Sequence, residues 1–273
     1  MTGCAQHAQL RPPGEVLTDA EAVLAKVTER TARLRSLSVE ARVSYYGKEG
    51  ARKAKAVVLA RRPAGLHFSV YSPTDDMLAV LASDGERFTS FERGARTCYV
   101  GRSCAENIGR FSFFPLEGAK LVDTLFGGVP LIGASASMVT WDGRAGAYRV
   151  ERTGDGGLSQ LIWVTPKTWD VTRMQVVRAG AVEISIAFDD IAVIAGERLP
   201  HTIAMKMPAE EVDLRVRYRE VDLNTTLGDG PFQIPCPDGV QNQTLRCDDE
   251  LSDTEGLRDV TPTEPGEDEA DGK

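Results

Sequence analysis

Five cysteines carry most of the reactive chemistry in this 273-residue chain: Cys4, Cys98, Cys104, Cys236 and Cys247. Cys4 stands in Met1-Thr2-Gly3-Cys4-Ala5-Gln6, with small residues before it and a polar, proline-broken stretch after it. A thiol in an extended, small-residue setting is what an acylating enzyme needs. The arrangement looks like the processed end of a bacterial lipoprotein, with Cys4 the lipidation site for acyl chains such as palmitate. This reading calls for a signal peptide whose hydrophobic stretch precedes Cys4, encoded upstream or replaced by Met1. The same residues also fit a free thiol in a frayed terminus. The other four cysteines fall into two local pairs, Cys98 with Cys104 and Cys236 with Cys247. Both spacings suit small disulfide loops in an oxidising compartment such as the periplasm, and such short loops would chiefly pin local turns.

Other chemistry finds little support. No Cys-x-x-Cys occurs, and His7, His67 and His201 are scattered, so the sequence points to neither a metal site nor a redox motif. His67 reads as a strand residue on a polar face. A hydrolase needs a nucleophile beside a positioned base, and Gly133-Ala134-Ser135-Ala136-Ser137 lacks the closing glycine of a nucleophile elbow. Gly154-Asp155-Gly156-Gly157 precedes a strand pattern, which makes it a turn and not a phosphate loop. Asp189-Asp190 has no further ligands at calcium-loop spacing. The expectation is a protein without catalytic residues or cofactors.

Composition bounds the architecture. A hydrophobic content of 42% supports a core, and no run approaches the ~18 apolar residues of a membrane-crossing helix. The net charge of −8 is concentrated at one end: residues 248–273 hold eleven acidic side chains against Arg258 and Lys273, a net −9, so the rest of the chain sums to +1. An acidic tail with no apolar periodicity reads as disordered, and nothing supports nucleic-acid binding. The expected segments are an N-terminal tether (1–17), a main domain (18–224), a cysteine-containing extension (225–247) and the acidic tail (248–273).

The elements follow from period. Thr18-Asp19-Ala20-Glu21 fits a capping box with Thr18 as the cap. Ala20, Val23, Leu24, Val27 and Leu34 then share a helical stripe, with Glu21, Lys26, Glu29, Arg30 and Arg33 mainly elsewhere. From Ser36 the period becomes two. Strands are expected near 36–46, 53–62, 66–71, 77–82, 87–91 and 97–100, with Asp84-Gly85 and Arg93-Gly94 as hairpin turns. An apolar connection, Phe111-Ser112-Phe113-Phe114-Pro115-Leu116, leads to a short helical pattern (Leu121, Val122, Leu125, Phe126) that Gly127-Gly128 terminates. Strands resume near 137–141, 147–152, 158–165, 169–178, 182–188, 201–207 and 211–224. Some dozen one-sided strands and two helical segments predict a mainly β fold, a curved antiparallel sheet or incomplete barrel plugged by helices, with a closed up-and-down barrel as competitor.

With these elements in order, the chain resembles the superfamily of the periplasmic lipoprotein carrier LolA and the outer-membrane lipoprotein receptor LolB, nearest to its uncharacterised lipoprotein relatives. The resemblance spans roughly residues 18–223. It rests on the helix after Cys4, on Leu37-Ser38-Val39-Glu40-Ala41-Arg42-Val43, and on a basic second strand ending in Ala60-Arg61-Arg62-Pro63. Leu66-His67-Phe68-Ser69-Val70, the Asp84-Gly85 turn and Leu125-Phe126-Gly127-Gly128-Val129-Pro130 complete it. It implies an unclosed half-barrel with a helical lid over an apolar cavity that takes the acyl chains of lipid or of a lipidated client. Candidate lining residues are Val43, Tyr45, Leu59, Leu66, Phe68, Val70, Phe88 and Trp141 from strands, with Leu121, Leu125 and Phe126 from the lid; ordinary core packing is the alternative for each. Ala5 and Gln6, with no aspartate after Cys4, resemble lipoproteins sorted to the outer membrane, which places the protein there, facing the periplasm. The extension past Asn224 and the acidic tail depart from the carriers. They leave room for a non-catalytic interaction or sensor module, an accessory subunit with an envelope protein partner, or a purely structural lipoprotein.

Overall fold

Each period-two segment forms a strand. The computed structural model describes residues 9–48, 50–112 and 116–247; Cys4 and the acidic tail lie outside them. Helix α1 (Ala20–Thr31) precedes β1 (Ser36–Gly47), β2 (Gly50–Arg61), β3 (Gly65–Tyr71), β4 (Met77–Ser83), β5 (Arg87–Glu92) and β6 (Thr97–Arg102). Helices α2 (Ala105–Ser112) and α3 (Gly118–Leu125) follow. The chain continues through β7 (Ala136–Asp142), β8 (Ala147–Thr153), β9 (Leu158–Val164), β10 (Val171–Arg178), β11 (Ala181–Ile194), β12 (Glu197–Met207), β13 (Val212–Leu223) and β14 (Gln241–Leu245). All belong to one 14-stranded sheet, ordered β14-β6-β5-β4-β3-β2-β1-β13-β12-β11-β10-β9-β8-β7. Because β14 and β7 are its two edges, the sheet is open, and the closed barrel is excluded.

Alternation decides which side of the sheet is dry. In β1 and β2 the buried residues Val39, Ala41 and Val43 face Val58, Ala56 and Ala54 across the ladder, while Arg42 faces Lys55 on the other side. The helices fill the apolar side. Val23, Leu24 and Val27 of α1, Ile108 of α2 and Leu121, Val122 and Leu125 of α3 join strand residues from both halves of the sheet in one core. Removing such side chains from water contributes about 1.5–3 kcal/mol each, and this burial holds the short helices on the sheet.

Several local expectations need correction. The cap of α1 is Asp19, whose carboxylate accepts from the Glu21 N–H at 2.9 Å; Thr18 does not serve. Glu21 reaches away to Arg152 on β8, at 2.8 Å, and not back to the cap. Helix α2 went unread because Gly109 and Asn107 lower its propensity, although Ile108 and Ser112 are buried one turn apart. Strands β11 and β12 run past the expected limits: Asp190 adopts φ of 55°, and beyond it the ladder continues in the same register at Ile191 with Pro200. The end of α3 is as expected: Gly127 takes φ of 75°, its N–H donating to Thr124 and that of Gly128 to Asp123.

The largest correction concerns the disulfides. Cys98 bonds Cys236 and Cys104 bonds Cys247, across 138 and 143 residues of sequence, so the local pairing is wrong. Adjacency in sequence does not decide here, because residues 225–240 cross the outer face of the sheet before β14 pairs with β6. Arg61 donates to the Leu227 carbonyl and pairs with Asp229 at 2.7 Å, and its guanidinium lies 4.5 Å from the ring centroid of Phe232. His67 Nδ1 meets the Pro231 carbonyl at 2.7 Å, and Gln233 donates to Asp84. Strand β14 then lies parallel to β6, the one parallel pair in the sheet. Gly101 permits it, since a Cβ there would sit 2.4 Å from the Leu245 carbonyl oxygen.

Two predictions follow from this strap. Replacing Cys98 and Cys236 together by serine is expected to cost about 2–5 kcal/mol in denaturant unfolding; a loss below about 1 kcal/mol would show that noncovalent contacts alone hold it. Burial pushes the His67 pKa below its ordinary 6.5, opposed in part by the Pro231 carbonyl. The unfolded chain therefore takes up the proton first, so stability should fall as pH drops from about 6.5 through the folded value. A His67→Gln chain should lack that component of the pH profile.

Candidate functional site

The candidate site is the inner face of the open sheet, the trough where the core residues of both halves gather. Register aligns Leu37, Ala60, Leu66, Ser83 and Phe88 in one inner row, and Val39, Val58, Phe68, Leu81 and Ser90 in the next. Phe111 of α2 closes over this end, its ring centroid 5.7 Å from Phe88 and 5.2 Å from Tyr99. Toward the β7 edge, Tyr148 stacks on Trp169 and meets Trp141 edge-on.

The expected lining residues divide three ways. Val43, Leu66, Phe88, Leu121, Leu125 and Phe126 are buried together in the core, and Tyr45, Phe68 and Trp141 pack against it, partly covered. Val70 shares the inner face with Ala56 and Ala79 and is half-buried. Leu59 points the other way: it pairs with His67 on the outer face, between buried Val58 and Ala60, so it does not line the trough.

Side chains fill most of the trough, and what stays open lies at its margins. A cleft of about 280 Å³ runs between α2 and the strand ends, lined by Ala105 and Gly109 on the helix and by Tyr45, Met207 and Val212 opposite, with Glu106 and Glu210 at its rim. A seam of about 110 Å³ separates α1 from α3 beside Leu24, Val27, Val129 and Leu131. Period-two reading could find Tyr45 and Val212. Ala105 and Gly109 were invisible to it because their helix was unread.

Polar contacts hold the helical plug in place. Arg30 of α1 is buried, and its guanidinium donates to the carbonyls of Trp169 (3.2 Å), Arg198 (3.0 Å) and Gly127 (3.0 Å). Buried Asp170 lies 3.7 Å from it and takes a closer pair, 2.8 Å, from Arg198. Burial lowers the Arg30 pKa, and the neighbouring Asp170 carboxylate opposes that shift. Gly127 is required at this contact, since a Cβ would come within 2.9 Å of the Pro200 ring. On the far side of α3, Tyr218 donates to the Leu125 carbonyl at 3.0 Å; burial pushes its pKa far above the ordinary phenol value, so the hydroxyl remains a donor. Arg62 binds Asp123 and lies over the Phe126 ring.

Residues noted for other chemistry have structural partners. Ser135 donates to the Thr153 carbonyl, Asp190 accepts from Thr202, and Gly156 and Gly157 form the β8–β9 turn with positive φ. Among the described residues, the metal-donor types that gather are Cys104, Glu106 and Cys247, and the two sulfurs are bonded to each other. Trp141 has a role beyond lining: its indole N–H donates to the Leu10 carbonyl, and the Leu10 N–H donates to Gly143, which docks the N-terminal tether on the β7–β8 turn. No helix among the described residues is long and apolar enough to cross a membrane.

No protein-family model matches the sequence, and no curated protein matches it. Solved structures do match. A DUF1329 family protein from Desulfovibrio piger superposes with a TM-score of 0.58 at 12% identity, covering 80% of this chain and 98% of that one. A LolA superfamily protein from Nitrosomonas europaea gives 0.51 at 13%, covering 80% and 99%. A putative outer membrane lipoprotein-sorting protein domain from Vibrio parahaemolyticus gives 0.51 at 12%, covering 78% and 97%. At this identity the likeness shows the fold, an open LolA/LolB-like half-barrel around helices, as the sequence resemblance implied.

Replacing Arg30 by Met should cost about 3 kcal/mol in denaturant unfolding, since the buried Asp170 loses a partner and three carbonyls, that of Gly127 in a buried contact, lose a donor. Arg30→Lys should recover little, because one ammonium cannot reach three carbonyls on separate segments. Recovery to within about 0.5 kcal/mol would show that charge alone matters there.

Proposed function

We propose that this protein is a non-catalytic binder of acyl chains, belonging to a lipid or to a lipidated protein, and that it works at the bacterial envelope as an outer-membrane lipoprotein facing the periplasm. The observation that carries the reading is the cleft of Tyr45, Ala105, Gly109, Met207 and Val212, where the apolar trough opens beside a short helix. Its volume of about 280 Å³ falls just short of the ~300–1,000 Å³ usual for ligand pockets, so a guest needs the cleft to widen. The guest enters tail first as α2 moves outward, and each buried methylene contributes about 0.8 kcal/mol. The rim carboxylates of Glu106 and Glu210 repel an anionic head group, so the acyl chain is carried as a neutral ester or amide.

Anchoring through Cys4 fits the same picture. Leu10 is fixed at the β7–β8 turn, and the six residues from Cys4 to Leu10 span at most about 20 Å. That turn is then the part of the domain nearest the membrane.

The test begins with the protein expressed from its native upstream codons. Intact mass of the membrane-bound form should show acylated Cys4, and solvent extraction of a Cys4→Ser form should release lipid in stoichiometric amount. With a fluorescent N-acylated peptide amide as probe, removing four methylenes from the acyl chain should weaken binding about 200-fold. Gly109→Trp, which fills the cleft, should weaken it at least tenfold without lowering the unfolding midpoint. Binding that ignores both chain length and Gly109→Trp would remove the acyl-binding reading, and an unmodified Cys4 would remove the anchor.

A further inference from the structure

Strand β13 presents Arg215, Arg217 and Arg219 to solvent on its outer face, alternating with buried Leu214, Val216 and Tyr218. Register sets Arg217 directly opposite Arg42, and Arg42 in turn opposite Lys55; Arg215 faces Ser44, which faces Lys53. At the margins Lys55 pairs with Asp75 and Lys206 with Asp213, while Glu40 and Glu220 face each other on one border. Arg42, Lys53, Arg215, Arg217 and Arg219 form no ion pair among the described residues. Like charges directly opposite across strands are destabilising, so this cluster raises the free energy of the sheet unless an anion lies over it.

One anion of matching size belongs to the chain itself. Residues 248–273 carry a net −9, while everything before them sums to +1. They continue from Cys247, which the bond to Cys104 holds beside the end of β6. In the sheet order β6 and β13 are six strands apart, about 30 Å at the usual interstrand spacing, and 26 residues can extend to ~90 Å. Tethering gives the segment a high effective concentration at the cluster. We propose that residues 248–273 dock on the outer-face arginine cluster of their own chain, so that any external polyanion must displace them to reach it. The docked segment neutralises the opposed cations and masks this face. Such contacts at an exposed surface are screened by salt.

The test uses the full chain with Cys4→Ser and Thr263→Cys, a nitroxide label on the introduced thiol and backbone amide spectra. At low salt the label should at least halve the signals of Arg42 and of residues 215–219. The effect should disappear at about 0.5 M salt and in an Arg215→Gln/Arg217→Gln chain, whose unchanged spectrum elsewhere reports that it folds. Vesicles containing phosphatidylglycerol, added to the intact protein, should restore the signals if they bind, because they compete with the segment. The proposal is overturned if the label leaves residues 215–219 untouched, if it broadens them equally in the glutamine variant, or if vesicles bind the cluster while the broadening persists. That last result would assign the cluster to a membrane surface.

Discussion

The placement of α1 and α3 in the trough depends on one buried cation, Arg30. A guanidinium removed from water is tolerated only when its donors are satisfied and its charge is answered. Arg30 meets both conditions by drawing three separate backbone segments and Asp170 to itself. The segments come from the β9–β10 turn, the start of β12 and the end of α3. Tyr218, Arg62 and Arg152 add further polar contacts to α1 and α3, of 12 and 8 residues, but only Arg30 joins both helices to the strand turns, and helices this short do not stand alone in water. The geometry of the plug is therefore set by a polar network, while its adhesion to the sheet is hydrophobic.

This division of labour bears on binding. Apolar contacts are non-directional, so a guest can replace helix side chains against the sheet without a large enthalpic mismatch. Helices α1 and α3 share the Arg30 carbonyl contacts, whereas α2 has none of them and borders the open cleft. Under the proposed acyl-binding role, α2 is the helix that would yield while the remainder of the plug keeps its place. The disulfide at Cys104, just before α2 begins, fixes the point from which such a movement would pivot.

Much of the sheet was legible in the sequence, because period-two alternation survives wherever one face is wet and the other dry. It is clearest in β13, where Leu214, Val216 and Tyr218 alternate with arginines. The failures share a cause: residues whose partners lie far away in sequence. Arg30 was assigned to the polar side of α1 on residue type, although its spacing from Val23 and Val27, seven and three residues, places it on the buried stripe. Leu59 looked like a lining residue because the outer face of β2, basic at Lys53 and Lys55, turns apolar at Val57 and Leu59, and the strap that crosses the outer side of the sheet was not foreseen. The cysteines were paired by proximity along the chain, whereas the fold brings 98 to 236 and 104 to 247. The trough itself was predicted, but how far side chains fill it depends on packing in three dimensions that no periodicity encodes.

The crossed disulfides also impose an order in time. During synthesis Cys98 and Cys104 emerge long before Cys236 and Cys247, by 138 and 143 residues. In an oxidising compartment the thiols that precede the strap are Cys4, Cys98 and Cys104, and any bridge made among them that uses Cys98 or Cys104 must be exchanged later through a thiolate attack. The half-sheet β1–β6 thus waits with an uncovered outer face and an unpaired edge at β6 until the end of the chain arrives. The two native cross-links are therefore both closed only after the last cysteine of the fold has arrived, and the strap is the last part of the outer face to be fixed.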